Sequence, residues 1–355
     1  MVKLPEIGKI SPEFFNKIIY PHLGAKRAEV LVGPRHGVDV GIVKIGKKAV
    51  AMTTDPVFIV PEYGWQKAAW FATHILASDV VTSGLPPTYL AIDLNLPLSI
   101  TEKELSTVWN TIDEESKKMG MAIICGHTAR YDNCLYPMVG GATVIAVGDL
   151  DQYVTPEFAR KGDKIVITKG PAIEAAGIFA NMFPNYIARH YGQDFAARAQ
   201  GLFYQMSVVN DAMTAVRAGV RDQGVSAMHD ATECGVWGGL YEIAHASGFG
   251  ARIDKAKIVV TDCIKEICDL FKIDPYMSIS EGTLIITCRE HKVERLIDIL
   301  NRSKIKASVV GELIDAKKGI LLVDNGKEKK LEHPNVDPFW SAFYGALKKY
   351  KQLEP

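Results

Sequence analysis

The chain has 355 residues, 48% of them hydrophobic, with 41 lysines and arginines balanced by 41 aspartates and glutamates. A chain of this size can bury a full core, and its length suggests two domains. Zero net charge and the lack of a basic run argue against nucleic-acid or anionic-membrane binding.

The opening "MVKLPEIGKISPEFF" is broken by prolines and has no long apolar core, so it does not read as a signal peptide. "VGPRHGVDVGIV" (32–43) is a glycine-bounded loop that places Asp39 ahead of an apolar segment, and a hairpin turn explains it equally well. "AVAMTT" (49–54) reads as a strand ending at Asp55, where an Asp-Pro turn would close it. The run from Trp65 to Ser83 reads as a helix that stops at Gly84, before Pro86 and Pro87. On it, Ala72, Ile75, Leu76, Val80 and Ser83 lie three or four positions from one another or from Asp79, so Asp79 falls on a mainly apolar stripe. A carboxylate there must be paired, hydrogen-bonded or metal-bound.

"TYLAIDLNLP" (88–97) is the next strand, and Thr101 with Glu104 forms a capping box for a helix through about Met119. "MAIICG" and "MVGGATVIAVG" read as strands, the first running into Gly126, His127 and Thr128. A histidine in that place serves as a metal ligand, a base or, more often, a hydrogen-bonded structural group.

The pattern restarts around "VTPEFARKGD" (154–163), which divides the chain into halves 1–154 and 155–355. "KIVITKG" is a strand, and "PAIEAAGIFANMF" a helix with Pro171 in its first turn. A helix near 205–218, a strand "GVSAM", a helix at 235–247 ending at Gly248, a strand "TLIITC", a helix near 291–301 and a strand "KASVVGEL" follow. "KEKK" (327–330) reads as a solvated turn.

Within "MHDATECGVWGG" (228–239), Asp230 as N-cap and Glu233 three positions on fit a capping box. Gly235, Gly238 and Gly239 also allow close approach of a ligand or backbone, and a helix N-terminus favours anions. The six cysteines show no CxxC pair and no zinc spacing, which fits reduced thiols in a cytoplasm. There is no P-loop, kinase signature, GxSxG or HExxH. Acidic residues recur instead at strand ends and loop starts. Magnesium is normally held by one or two carboxylates plus substrate phosphates, so such a distributed set suits a nucleotide site.

Taken in order, "GPRHGVDVGIV", "TTDPVF", "ASDVVTSGLPP", "IICGHT", "GDKIVITKG", "HDATECGVWGGLYEIAHASG" and "SEGTLIIT" resemble the aminoimidazole ribonucleotide (AIR) synthetase-like superfamily. Its members include hydrogenase-maturation factor E (HypE), thiamine-monophosphate kinase and selenophosphate synthetase. The resemblance implies an α+β fold of two domains: an N-terminal domain forming a dimeric β-barrel-like core and a C-terminal α/β sandwich. It implies a homodimer that binds ATP and Mg²⁺ in a long cleft and acts on a small-molecule acceptor.

By the same resemblance, Asp39, Asp55 and Asp79 hold metal and phosphate, with Thr54, Gly126, Thr128, Thr232 and Gly235 lining the nucleotide site. Asp230 and His127 would face the reacting end. The branch suggested is HypE-like, with a possible protein maturation partner. A thiamine-monophosphate-kinase-like enzyme and a nucleotide-binding protein with little turnover are the alternatives. Two departures stand out: relatives carry Gly-Asp-Thr where this chain has Gly126-His127-Thr128, and the cysteine-bearing tail of HypE has no counterpart after Cys288.

Overall fold

Alternation of buried and half-exposed residues builds the first sheet, as period-two patterning requires. A computed structural model describes residues 10 and 12–354. Its first six strands are β1 (Val30–Val32), β2 (Gly41–Ile45), β3 (Lys48–Phe58), β4 (Pro87–Leu96), β5 (Ala122–Arg130) and β6 (Met138–Asp149). They lie in the order β1-β2-β3-β6-β4-β5. Only the β4–β5 pair is parallel, and its crossover is the helix Glu102–Met119. That helix starts with the expected box: Glu104 N–H donates to Thr101 Oγ1, and Thr101 N–H donates to Glu104.

One face of this sheet is covered by the helix Trp65–Val81, which buries Ala68, Ala69, Ala72, Leu76 and Val80. Alanines at the contact let the helix approach the sheet closely, and Leu76 supplies bulk. Truncating Leu76 to alanine should cost about 2–5 kcal/mol, the usual range for a buried leucine.

The second sheet contains β7 (Lys164–Thr168), β8 (Val225–Asp230), β9 (Gly250–Asp254), β10 (Leu284–Cys288), β11 (Ala307–Ile314), β12 (Ile320–Asp324) and β13 (Lys327–Lys330). Its order is β13-β12-β9-β11-β7-β10-β8. Every residue of β8 and β10 is buried, so both faces of the sheet are covered at that end. The two halves share a core: Leu76 and Val80 of the first belong to the same buried cluster as Val208, Ala212 and Leu296 of the second. Arg221 fastens the connection, donating to the carbonyls of Leu150 and Tyr153 with its guanidinium against the rings of Tyr153 and Phe158.

Several boundaries differ from the sequence reading. Strand β3 does not turn at Asp55 but continues through Pro56 to Phe58. The reason is local: β2 pairs with β3 only as far as Met52, so beyond it that side of β3 is an edge, where a proline's missing N–H costs no ladder bond. Strand β5 likewise runs on through Gly126, His127 and Thr128 as an exposed edge strand. The helix expected near 205–218 is confined to Val209–Ala215 between 3₁₀ turns. Residues 327–330 are an exposed strand, the turn being Asn325-Gly326 with both φ angles positive, as a two-residue hairpin favours.

The capping box of Asp230 and Glu233 is absent. The helix is Gly235–Ser247, its N-cap is Cys234 with no side-chain cap bond, and Asp230 is the last residue of β8. Asp230 is held in the sheet opposite Leu284, which leaves Asp337 to receive the Cys234 N–H at 2.8 Å. Gly248 does end the helix in the left-handed conformation.

Candidate active site

Carboxylates from both halves converge where the helix Trp65–Val81 passes the end of β8. Asp79 extends from that helix and accepts from Thr53 Oγ1 of β3 at 2.9 Å. Burial raises the Asp79 carboxyl well above its usual range, and the charges of Asp230, Asp55, Asp39 and Glu281 raise it further. The same mutual repulsion would be relieved by a bound cation, so the donor set fits one.

Asp39 reaches the cluster through the glycine-bounded loop. Gly37, with φ 73°, packs so closely that a Cβ there would lie 2.4 Å from the Glu242 carbonyl oxygen, so only glycine fits. That approach lets His229 span the halves, its Nδ1 2.9 Å from Asp39 Oδ2 and its Nε2 2.9 Å from Glu242 Oε2. Burial opposes charge on this ring, but the two carboxylates outweigh it and raise its pKa well above the ordinary value.

One donor atom from each of Asp39, His229 and Asp230 lies within 4.8 Å of the others, the spacing of a cation site. Both nitrogens of His229 are engaged by carboxylates, however, so the ring acts as a cationic brace and not as a ligand. A neutral, coordinating imidazole would have to give up one of these bonds.

Two glutamates that sequence reasoning passed over stand near Asp230. Glu281 is fully buried, and neither of its carboxylate oxygens makes a hydrogen bond of normal geometry. Burial raises its pKa well above the carboxylate range, with Asp230 and Glu174 adding to the effect; Ser78 and Lys169 lie near enough to oppose it. Glu174 accepts the Glu281 N–H at 3.0 Å, and burial pushes its carboxyl up to about 7. Their signal was thin: Glu281 stands in "SEGTLIIT" and Glu174 on an apolar helix, and neither has a partner within a helical turn.

The remaining predicted residues divide by the face they occupy. Thr53 and Asp55 point to the helix-covered face of β3, so the intervening Thr54 points to the open face, where it donates to the Ala142 carbonyl and accepts from Thr143. His127 pairs in register with Asp93, which is also on the open face, and contacts the Tyr131 hydroxyl at 2.9 Å. Gly126 lies in one row with Ile92, Ala142 and Asp55, three strand spacings or roughly 14 Å from the last. Within one chain, then, Thr54, Gly126, His127 and Thr128 are not gathered with the acids.

Thr232 and Gly235 sit beside Asp230, but their backbones are already occupied. The Thr232 carbonyl accepts from Gly235 and Ser280, and a Cβ at Gly235 would lie 2.5 Å from the Ser278 carbonyl oxygen. The Trp237 N–H is taken by the Tyr276 carbonyl. This helix start therefore offers less to an anion than its glycines suggest.

Comparison with known proteins follows the same outline. The family model "AIR synthase related protein, N-terminal domain" matches residues 37–147, and "AIR synthase related protein, C-terminal domain" matches 160–324. A putative hydrogenase expression/formation protein of Methanocaldococcus jannaschii is 22% identical, with 93% of this chain and 96% of that one covered. Carbamoyl dehydratase HypE of Escherichia coli is 24% identical over 74% of this chain and 75% of its own. A solved structure of the hydrogenase maturation protein HypE in complex with ATP superposes with a TM-score of 0.65 at 19% identity, covering 94% of this chain and 97% of that one. No helix among the described residues is long and apolar enough to cross a membrane. With two consecutive models spanning most of its length, the chain belongs to the AIR synthase related family.

Proposed function

We propose that this chain is an ATP- and Mg²⁺-dependent enzyme that transfers phosphate to, or thereby activates, an oxygen of a small acceptor, in the manner of HypE. The observation that carries the reading is the convergence of Asp39, Asp55, Asp79, Asp230 and Glu281 on one cleft, where their charges raise the Asp79 carboxyl. Asp39, Asp55 and Asp79 would hold Mg²⁺, which would supply neutralisation of phosphate charge. His229 fixes Asp39 by donating to it. Asp230 would orient the acceptor, and the buried Glu281, favouring its protonated form, is suited to carry a proton beside it. Positioning and electrostatics would supply most of the rate, as phosphoryl transfer requires.

A homodimer belongs to the same reading. The open face of the first sheet presents Val50, Met52, Tyr89, Ile145 and Val147, all partly exposed, a row of apolar side chains suited to a second copy. Such pairing, with its barrel-like core, would draw His127 and Thr54 into an interface. A division at 154/155 falls between the two model matches, and the hydrogenase-formation names of the relatives support a protein maturation partner.

The test is Mg²⁺-dependent ATP hydrolysis, measured alone and with candidate acceptors, a thiamine monophosphate and a carbamoylated peptide among them. Turnover that rises with one acceptor supports the enzyme and names its branch. Tight ATP binding without turnover under any of these conditions would leave a nucleotide-binding protein instead.

A further inference from the structure

A cavity of about 820 Å³ lies apart from the converging acids. It opens on the other side of the helix Trp65–Val81, between that helix, the end of Glu102–Met119 and the segments 204–211 and 303–306. The segment Gln205–Val208 forms the wall between the two spaces. It lines the cavity with Gln205 and Ser207, while a Cβ at Gly282, next to Glu281, would lie 2.2 Å from the Gln205 carbonyl oxygen. Ser78 closes the partition by accepting the Val208 N–H.

The charge of this cavity is opposite to that of the cleft. Lys118, Lys169, Lys304 and Lys306 line it, against Asp211 as the only lining carboxylate. Lys118 and Lys169 are matched by Glu115 and Asp211, whereas among the described residues no carboxylate is paired with Lys304 or Lys306. Lys169 and Lys304 occupy left-handed backbone positions, φ 58° and 61°, where glycine or asparagine would be less strained. Two aromatic rings also line it: Trp70, stacked on His74 at 4.1 Å, and Tyr204, edge-on to Trp70 at 5.1 Å and 53% exposed. The volume lies within the range of small-molecule sites.

We propose that this cavity binds a small phosphorylated molecule carrying a flat ring, of the nucleoside-monophosphate class, without a metal. Lys304 and Lys306 meet the phosphate, and Trp70 and Tyr204 take the ring. The site stands independently of the reading of the acid cleft, because it needs no divalent ion and uses none of the cleft's carboxylates.

Equilibrium dialysis of the full chain with AMP and with pyrophosphate, in EDTA, tests it. Without a cation the acid cleft repels both anions, so metal-free binding reports on the cavity alone. The expected result is saturable binding of AMP, weakened about tenfold or more by Lys304→Glu with Lys306→Glu through direct charge repulsion. Tyr204→Ala should weaken AMP and leave pyrophosphate unchanged. All three residues are exposed, so the variants keep the fold, which a thermal transition matching that of the unsubstituted chain would verify. No saturable binding at millimolar AMP, or binding unaffected by the charge reversal, overturns the proposal. Loss of Mg²⁺-ATP binding with retained AMP binding would count against the acid cleft only.

Discussion

The helix Trp65–Val81 separates two regions of opposite character, and its own side chains show the difference. Asp79 faces the carboxylates of both halves, and burial together with their charges favours its protonated form. His74, five residues earlier and facing away, sits between Ser207 and Glu115 at 2.8 and 3.1 Å. Burial lowers its pKa, and Lys118 and Lys169 lower it further against the pull of Glu115. Burial thus presses each group toward neutrality, Asp79 with the help of neighbouring charges of its own sign and His74 against the stronger pull of Glu115. The lesson is that one largely buried helix can wall off an acidic site, which calls for cations, from a basic one, which calls for anions.

Asp79→Asn should have the largest effect and confine it to one side. Mg²⁺-ATP affinity should fall by about 100-fold or more, beyond the 10–100-fold typical of residues that merely support a metal ligand. Metal-free AMP binding on the far side of the helix should not change. Calorimetric titration of both ligands checks this, and a parallel loss would mean that the two regions are one.

Next in size is His229→Leu, which leaves Asp39 and Glu242 without their shared cation. Roughly 2–3 kcal/mol of stability should be lost, less than for a fully buried pair because both carboxylates keep some exposure to solvent. Denaturant unfolding measures it; an unchanged midpoint would remove the brace from the account.

The pH dependence of the metal-free protein should be of similar scale. Glu174 goes from an ordinary value of 4.5 to about 7 on folding, so between those limits the folded state binds the extra proton. Stability contributed by this group is therefore present at low pH and is lost as pH rises through the window, at about 1.4 kcal/mol per pH unit. Asp337, raised to about 6, adds the same sign. Glu174→Gln should flatten the profile, and a profile that rises with pH would contradict the burial of these acids.

The smallest effect belongs to Thr54→Val. On the open face, away from Asp79, it should leave Mg²⁺-ATP affinity within about twofold, as surface changes usually do. A large loss would instead show that the nucleotide reaches the open face.

How far the site was legible follows from the same geometry. Asp79 could be read because a carboxylate on an apolar helical stripe is a local conflict, visible at period 3.6. The pairing of Asp39 with His229 could not, because it joins residues 190 positions apart and depends on Gly37 meeting the backbone of Glu242. Thr54 and His127 were grouped with Asp55 by the family resemblance, with the strands taken to end at Thr54 and Gly126. Once β3 and β5 run on, period two places these side chains on the opposite face. The two-half architecture was plain from the restart near residue 155, since the alternation of strand and helix patterns needs no tertiary information.

The central claim is that the converging acids form a cation-dependent nucleotide site. Its most direct measurement is ATP affinity with Mg²⁺ and in EDTA, for the unsubstituted chain and for Asp55→Asn. With Lys304→Glu and Lys306→Glu present in both proteins, the cavity contributes nothing. The account predicts tight binding only with Mg²⁺ and only when Asp55 is intact, with the thermal transition of the metal-free variant nearly unchanged. Equal affinity in EDTA, or an Asp55→Asn protein that binds Mg²⁺-ATP as well as the parent, would contradict it.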